Sequence, residues 1–104
     1  MKRKFYKAYD NDMWNDGEGF SSNDKYSMHL IVSLTDDTKS ESIRPALVKH
    51  GYLKPRFRWI VTLDDEFMIE LSRPDYSSLL TFELIDDDDA LDYVAKDGYD
   101  YISL

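Results

Sequence analysis

No cysteine occurs in this chain, so its fold contains no disulfide bond and offers no thiolate to a catalytic centre or to a sulfur-ligated metal. No apolar run approaches the roughly 20 residues that a membrane-spanning helix needs. Basic and aromatic residues fill Met1 to Lys7, where a secretory signal would continue into an apolar stretch. These absences predict a protein stabilised by packing alone, and we expect it in a cytoplasm.

Glycine and histidine are also scarce, with four and two residues respectively. The sequence has no glycine-rich loop that would hold a phosphate group and no local signature of a serine or cysteine nucleophile. His29 falls in a predicted strand and His50 at a predicted helix end, without the spacing of paired metal ligands. We therefore predict no enzymatic activity, no metal site and no cofactor.

Apolar residues, by contrast, are plentiful enough for a core, because 42% of the chain is hydrophobic and 14% is aromatic. A disordered acidic chain would carry fewer aromatic residues. A chain of 104 residues is too short for two separate cores. We therefore expect residues 1–104 to form one domain.

Charge is distributed unevenly along the chain. Residues 1–58 hold 11 of the 13 basic and 8 of the 21 acidic residues, a net charge of +3. Residues 59–104 hold the other 2 basic and 13 acidic residues, a net charge of −11. A surface of one sign attracts oppositely charged molecules, so this asymmetry bears on the choice of partner.

The first long irregular segment is predicted at residues 10–26, which combine Asp, Asn, Gly and Ser around an isolated Trp14. The pattern changes at Met28. From there to Leu34 apolar residues recur at every second position, which is the period of a strand. We expect this strand to be central in the sheet.

A short helix follows, because Ile43 and Leu47 recur at helical spacing before Gly51 supplies a C-terminal stop. With Ser42 as the N-cap, Pro45 falls in the first turn, where its missing N–H removes no hydrogen bond of the helix. An alternative helix begins at Pro45 itself.

Two alternating runs, residues 56–63 and 67–71, predict a β-hairpin. A loop with an odd number of residues, 64–66, keeps both apolar sets on one face. We therefore expect Leu63 to lie opposite Phe67 in the core. On this interpretation, truncation of Phe67 to alanine would cost about 3–5 kcal/mol.

A second helix is predicted to start at Asp86, which is a favourable N-cap residue, and to end near Gly98. Ala90, Leu91 and Val94 would form its inner face.

Residues 78–85 and 99–104 complete the predicted elements as a further strand and an edge strand. From residue 28 the order is then strand, helix, three strands, helix, strand. This order predicts an α+β domain with a mainly antiparallel sheet of about five strands and two short helices. It is close to a ferredoxin-like split unit with one added strand.

The aspartates that open the second helix exceed what a cap requires. One or two carboxylates are explained by capping and by the helix dipole, but four in a row repel one another unless a cationic surface faces them. Tyrosines nearby offer rigid contact area for an interface. The predicted partner-binding surface comprises Asp86, Asp87, Asp88, Asp89, Asp92, Tyr93, Asp97, Tyr99, Asp100 and Tyr101.

A basic strip between Lys39 and Arg58 gives the alternative prediction. Aromatic residues are interleaved with its cations, as in surfaces that bind nucleic acid. The residues that would make this contact are Lys49, Lys54, Arg56 and Arg58. The net charge of −8 opposes the alternative, because polyphosphate repels such a molecule at long range.

Composition therefore favours a non-enzymatic, acidic inhibitor that binds a basic protein, in particular a nuclease or another nucleic-acid-binding protein. Regularly spaced carboxylates can imitate nucleic-acid phosphates to such a partner. Small acidic inhibitors of this kind include anti-CRISPR and anti-restriction proteins of phages and immunity proteins against nuclease toxins, and the analogy is one of composition. We expect neither membrane association nor direct binding of nucleic acid.

Overall fold

This computed structural model describes residues 3–11, 25–53, 55, 59–65, 67–72 and 79–104. These residues form six strands and two α-helices. The strands are β1 (Arg3–Asn11), β2 (Lys25–Thr35), β3 (Ile60–Asp64), β4 (Met68–Ser72), β5 (Leu79–Ile85) and β6 (Asp100–Ser103). The helices are α1 (Ile43–Lys49), which follows a 3₁₀ turn at Ser40–Ser42, and α2 (Asp87–Ala95). The predicted α+β class is confirmed.

The described strands form one sheet in the order β3-β4-β5-β1-β2-β6. All neighbours are antiparallel except β2 and β6, which are parallel. From β2 onward the elements follow the predicted order. The prediction omitted β1, which occupies the centre of the sheet between β5 and β2.

The predicted loop at residues 10–26 is wrong at both ends, because the long pairing of β1 with β2 includes them. Asp10 pairs with Tyr26, and Asn11 pairs with Lys25. Residues 12–24, which form the rest of that loop prediction, lie outside the described residues.

The two helices cover opposite faces of the sheet. Successive residues of a strand point to opposite faces. On β1 and β2, even-numbered residues such as Tyr6 and Val32 join the main hydrophobic cluster together with Leu47 of α1. Odd-numbered residues, including Phe5 and Ile31, line a slot beside α2 instead. We call these sides the α1 face and the α2 face.

The α1 face contains most of the buried apolar side chains. Full burial of each large side chain stabilises the fold by about 1.5–3 kcal/mol. Those with less than 2% exposure in the main cluster are Leu30, Val32, Ile43, Leu47, Ile69, Leu71 and Phe82. They come from β2, α1, β4 and β5, so this cluster joins segments that are distant in sequence.

Helix α1 begins directly after Ser42, as predicted, but Ser42 does not act as a side-chain cap. Its backbone is helical, because the 3₁₀ turn continues into α1, and its hydroxyl makes no capping hydrogen bond with the described residues. At the other end, the N–H of Tyr52 donates to the carbonyl of Leu47 at 2.8 Å, and the N–H of Gly51 donates to the carbonyl of Val48 at 3.1 Å. This pair of bonds is a Schellman motif, and it requires the positive φ of +86° that Gly51 adopts.

The predicted register of the β3–β4 hairpin is wrong. Leu63 pairs with Glu70 rather than with Phe67. Phe67 precedes β4 and has 66% of its surface exposed. The large stability cost expected for its truncation is therefore wrong as well.

Asp65 explains this register. Its carboxylate Oδ1 accepts hydrogen bonds from the N–H groups of Phe67 and Met68, both at 2.8 Å. Such a side-chain turn keeps Phe67 outside the strand. A bulge between Val61 and Leu63 then adds one residue to β3.

The alternation predicted for residues 56–63 is present where the structure describes it, since Trp59, which precedes β3, and Val61 are partly buried against the main cluster. Ile60, which lies between them, is 44% exposed. Residues 56–58 of the predicted strand lie outside the described residues.

Candidate functional site

Helix α2 presents the acidic run to solvent. Asp86 is its N-cap residue, with extended backbone angles, and its carbonyl accepts the N–H of Ala90 at 3.0 Å. In the part of the chain that the structure describes, the Asp86 side chain makes no capping hydrogen bond. Residues 87–89 form the first turn, and all four aspartates are exposed. The positive end of the helix dipole favours their charges while leaving the carboxylates accessible.

The remaining predicted aspartates do not all join this surface. Asp92 lies on α2 and pairs with Lys96 one turn later at 3.5 Å. Asp97 is exposed in the turn after the helix. Asp100 begins β6 opposite Leu30, on the α1 face of the sheet. We define the acidic α2 surface as residues 86–89 together with Asp92.

Asp100 instead accepts a hydrogen bond from the hydroxyl of Tyr52, which follows α1. Burial, followed by this hydrogen bond and by the charge of Asp100, raises the pKa of Tyr52 to about 12. The contact links the end of α1 to the start of β6.

Two of the predicted tyrosine anchors surround a buried lysine. Lys7 of β1 is 7% exposed on the α2 face. Its Nζ lies 4.0 Å from the ring centre of Tyr9, 5.3 Å from that of Tyr93 and 5.8 Å from that of Tyr99. Cation–π attraction to three rings offsets part of the cost of burying the ammonium group. Glu83 of β5 lies directly opposite Lys7 in register.

The same tyrosines hold α2 against the sheet. The rings of Tyr93 and Tyr99 are 4.8 Å apart, and the N–H of Tyr99 donates to the carbonyl of Tyr93 at 3.0 Å. The Tyr99 hydroxyl shares a hydrogen bond of 3.2 Å with Ser27 of β2. Both residues are partly buried, so they position α2 as well as contribute to its surface.

Tyr101 belongs to a polar network that joins β1, β2 and β6. Its hydroxyl shares a hydrogen bond of 2.7 Å with Ser33 Oγ. Arg3 Nη1 donates to Ser33 Oγ and Ser103 Oγ, both at 2.9 Å, and to the carbonyl of Leu104 at 3.1 Å. Tyr101 remains 42% exposed. It is the most accessible of the three predicted tyrosines.

An apolar slot of about 230 Å³ opens between α2 and the sheet. It is lined by Phe5, Ile31, Ala90, Leu91, Val94 and Tyr101, with Asp87 at its rim. Ala90 is buried, as predicted for the inner face of α2. Leu91 was predicted there too, but it is 65% exposed, because the helix approaches the sheet through Ala90 and Tyr93 instead.

Of the four residues predicted to contact nucleic acid in the alternative, the structure describes one. Lys49 lies exposed in the last turn of α1. Lys54, Arg56 and Arg58 lie outside the described residues. Arg44, also in the basic strip, donates from Nη2 to the carbonyl of Pro55 at 3.2 Å.

Both histidines occupy their predicted places. His29 lies in β2 with a φ of +56°, where the pairing with β1 is irregular, and its ring is 4.9 Å from that of Tyr99. His50 is the exposed C-cap residue of α1. Over the described ranges, no group of three His, Asp or Glu residues is placed to hold a metal ion. Nor is any helix there long and apolar enough to cross a membrane.

A second, larger groove of about 750 Å³ lies on the α1 face, beside the segment that joins β2 to α1. Its floor includes Tyr6 and Leu34, and its rim carries side chains of both signs, among them Lys39 and Asp64. The Asp64 carboxylate accepts a hydrogen bond from Ser40. The charged lining residues of the groove are four acidic ones, Asp36, Glu41, Asp64 and Asp65, and two basic ones, Lys4 and Lys39.

Two residues of the α2 face, Phe5 and Lys7, were missed from the sequence, and Leu91 was predicted to be buried rather than exposed. Phe5 and Tyr9 alternate with Tyr6 and Ala8, which is a strand pattern that would have revealed β1. Nothing in the sequence indicated that tyrosines from β1, α2 and the β6 region meet around Lys7.

In comparisons with known proteins, the chain matches no family model, no curated protein and no solved structure. The functional argument therefore depends on the geometry of these surfaces.

Proposed function

We propose that this protein is a non-enzymatic inhibitor that binds a basic, nucleic-acid-handling protein through its α2 face. One observation carries the proposal: the exposed Asp87 lines an apolar slot that is open to solvent, and the exposed Asp88 and Asp89 follow it in the first turn of α2. A helix end that is only solvated would need exposed aspartates but no exposed apolar surface beside them. Leu91, exposed beside them at the slot, adds apolar contact area that a partner would bury.

Charge on this surface would govern the encounter. A face of one sign raises the association rate of an oppositely charged partner by about 10- to 1,000-fold at low salt. Asp88 and Asp92 lie one turn apart, which corresponds to about 6 Å along the helix axis. Such regular negative charge can be recognised by a groove that binds phosphates, so the surface would act as a nucleic-acid mimic.

Apolar contacts would govern how long the complex lasts. Tyr101 and Leu91 are exposed large hydrophobic residues of the slot and are its expected anchors. Tyr93 and Tyr99 support them from behind, since their rings hold α2 against β1 through Lys7. The tyrosines thus contribute to binding in two different ways.

Nucleases are the first partner class to test. The acidic composition is analogous to that of phage anti-CRISPR or anti-restriction proteins and of immunity proteins for nuclease toxins, which act on nucleic-acid-handling enzymes. In either case the protein would act inside the cell that contains its target.

The test compares two variants with equal net charge. One replaces Asp88, Asp89 and Asp92 with asparagine and leaves the N-cap residue Asp86 intact. The matched control replaces Asp36 and Asp37 with asparagine and Glu41 with glutamine. These three residues are exposed and lie outside α2. Each variant is immobilised on a resin and incubated with bacterial lysate, with and without competing duplex DNA, and the retained proteins are identified. We expect the α2 variant to lose basic nucleic-acid-binding proteins that the wild type and the control retain.

Binding kinetics with the purified partner then separate charge from contact. The α2 variant should associate about tenfold more slowly and show a weaker dependence on salt, whereas Tyr101→Ala should mainly accelerate dissociation. If the folded α2 variant binds with the same rate and salt response as the charge-matched control, the acidic α2 surface is only a solvated helix end.

The alternative function, direct nucleic-acid binding through Lys49, Lys54, Arg56 and Arg58, is tested with a labelled single-stranded oligonucleotide. We expect no binding at low salt, because the net charge of −8 opposes it. Micromolar binding that is lost in a folded Arg56→Ala/Arg58→Ala variant would favour this alternative.

A further inference from the structure

The outer edge of β6 exposes backbone groups beside the apolar slot. The N–H of Leu104 donates to the carbonyl of Ser33 on β2 at 3.0 Å. Backbone groups of successive strand residues point to alternate sides, so the N–H and carbonyl groups of Tyr101 and Ser103 point away from β2. Among the described residues, no strand lies beyond β6 in the sheet.

The two faces of this edge differ in chemistry. On the α2 face, Tyr101 lines the slot together with Leu91, and Asp87 lies at the rim. On the α1 face, Asp100 is exposed at the start of β6. A strand placed beside β6 would therefore meet, on the α2 face, an apolar surface with Asp87 at its rim. On the α1 face it would meet the carboxylate of Asp100.

We propose that the partner binds by adding an extended segment to β6 as a seventh strand. This segment alternates apolar and basic residues, with an apolar side chain in the slot and basic side chains directed towards Asp100. The inference rests on the proposed function and specifies the partner segment. Exposed N–H and carbonyl groups favour an extended occupant over a helix, because a helix satisfies its own backbone.

Charge selects between two possible extended occupants. A second copy of this chain would bring another net charge of −8 to the same edge, and the two copies would repel each other. A basic segment is attracted by the same charges. We therefore assign the edge to a partner strand rather than to self-association.

The probe is a labelled peptide of about ten residues in which valine and lysine alternate, and its control has the same composition with the lysines grouped at one end. Ser103→Pro removes an outward N–H without removing a bond to β2. Ser103→Ala is the matched variant, since both substitutions lose the hydrogen bond from Arg3 but only proline removes the N–H. We expect Ser103→Pro to bind the alternating peptide about tenfold more weakly than Ser103→Ala.

A second measurement does not depend on the folding of Ser103→Pro. A peptide methylated at alternate backbone nitrogens should bind the wild type about tenfold more weakly than the unmethylated peptide when methylation falls on the amides that face β6. Amide exchange at Tyr101 and Ser103 should slow when the unmethylated peptide binds.

Three results would overturn strand addition: equal affinity of the two Ser103 variants, equal affinity of the alternating and grouped peptides, or wild-type dimerisation through β6 that Ser103→Pro abolishes in sedimentation. The proposed function fails separately, through the aspartate variants. If Ser103→Pro still captures the basic protein that the α2 variant loses, the acidic surface is functional and strand addition is wrong.

Discussion

Alanine substitution of two phenylalanines, one buried and one exposed, tests the observed register of the β3–β4 hairpin. Phe82 of β5 is fully buried and pairs with Ala8 on one side and Ile69 on the other. Phe67, in the β3–β4 turn, is 66% exposed. Replacing each with alanine removes the same atoms, so the difference in unfolding free energy reports burial.

The expected magnitudes differ severalfold. Truncation of a buried phenylalanine costs about 3–5 kcal/mol, because the lost transfer energy is added to the cost of a cavity. Full burial of a phenylalanine contributes about 1.5–3 kcal/mol, so the buried third of Phe67 contributes about 0.5–1 kcal/mol. A domain of this size has about 5–15 kcal/mol in total. Phe82→Ala therefore removes a large part of the stability, whereas Phe67→Ala leaves the fold intact.

Urea denaturation followed by circular dichroism measures both values. In thermal denaturation, Phe67→Ala should lower the melting temperature by a few degrees, given about 4–8 °C for each kcal/mol. If Phe82→Ala does not fold, Phe82→Leu provides a milder change of about 1–2 kcal/mol. A cost of 3 kcal/mol or more for Phe67→Ala, as the Leu63–Phe67 register requires, would refute the observed pairing of Leu63 with Glu70.

Two further predictions concern the contacts that hold β6 and α2 in place. Because the pKa of Tyr52 is raised from 10.0 to about 12 in the folded protein, its contribution to stability is fully present below pH 10 and is lost as the pH rises to 12. Tyr52→Phe should therefore flatten the fall of unfolding free energy between these pH values, and an unchanged slope would contradict the raised pKa, which burial causes first and Asp100 second. For the Lys7–Tyr9 pair, a double-mutant cycle with Lys7→Met and Tyr9→Leu should give a coupling energy of about 1–2 kcal/mol in urea denaturation, as expected for a desolvated cation–π contact at 4.0 Å. A coupling energy near zero would show that the ammonium and the ring stabilise the fold independently.

Part of the candidate site could be read from the sequence because helix ends depend on local chemistry. Asp86 was identified as the N-cap of α2, and its neighbours therefore had to open the helix. Their exposure followed from their charge. The separation of Asp100 from them did not follow, because it depends on the register of β6, which places Asp100 opposite Leu30 on the α1 face. The apolar slot was missed for the same reason, since Phe5 and Leu91 approach each other only through β1 and α2 packing.

The sequence by itself determined the α+β class, the ends of α1 at Ser42 and Gly51, and the alternation of β2, because caps and periodicity act over a few residues. It did not reveal the place of β1 at the centre of the sheet, since Lys7 interrupts an apolar face and two of the three tyrosines around it, Tyr93 and Tyr99, come from distant segments. Nor did it determine the β3–β4 register, which one hydrogen-bonding side chain, Asp65, shifts away from the best apolar match. Strand order and register were decided by tertiary structure, because they depend on long-range pairing and on which buried polar groups find partners.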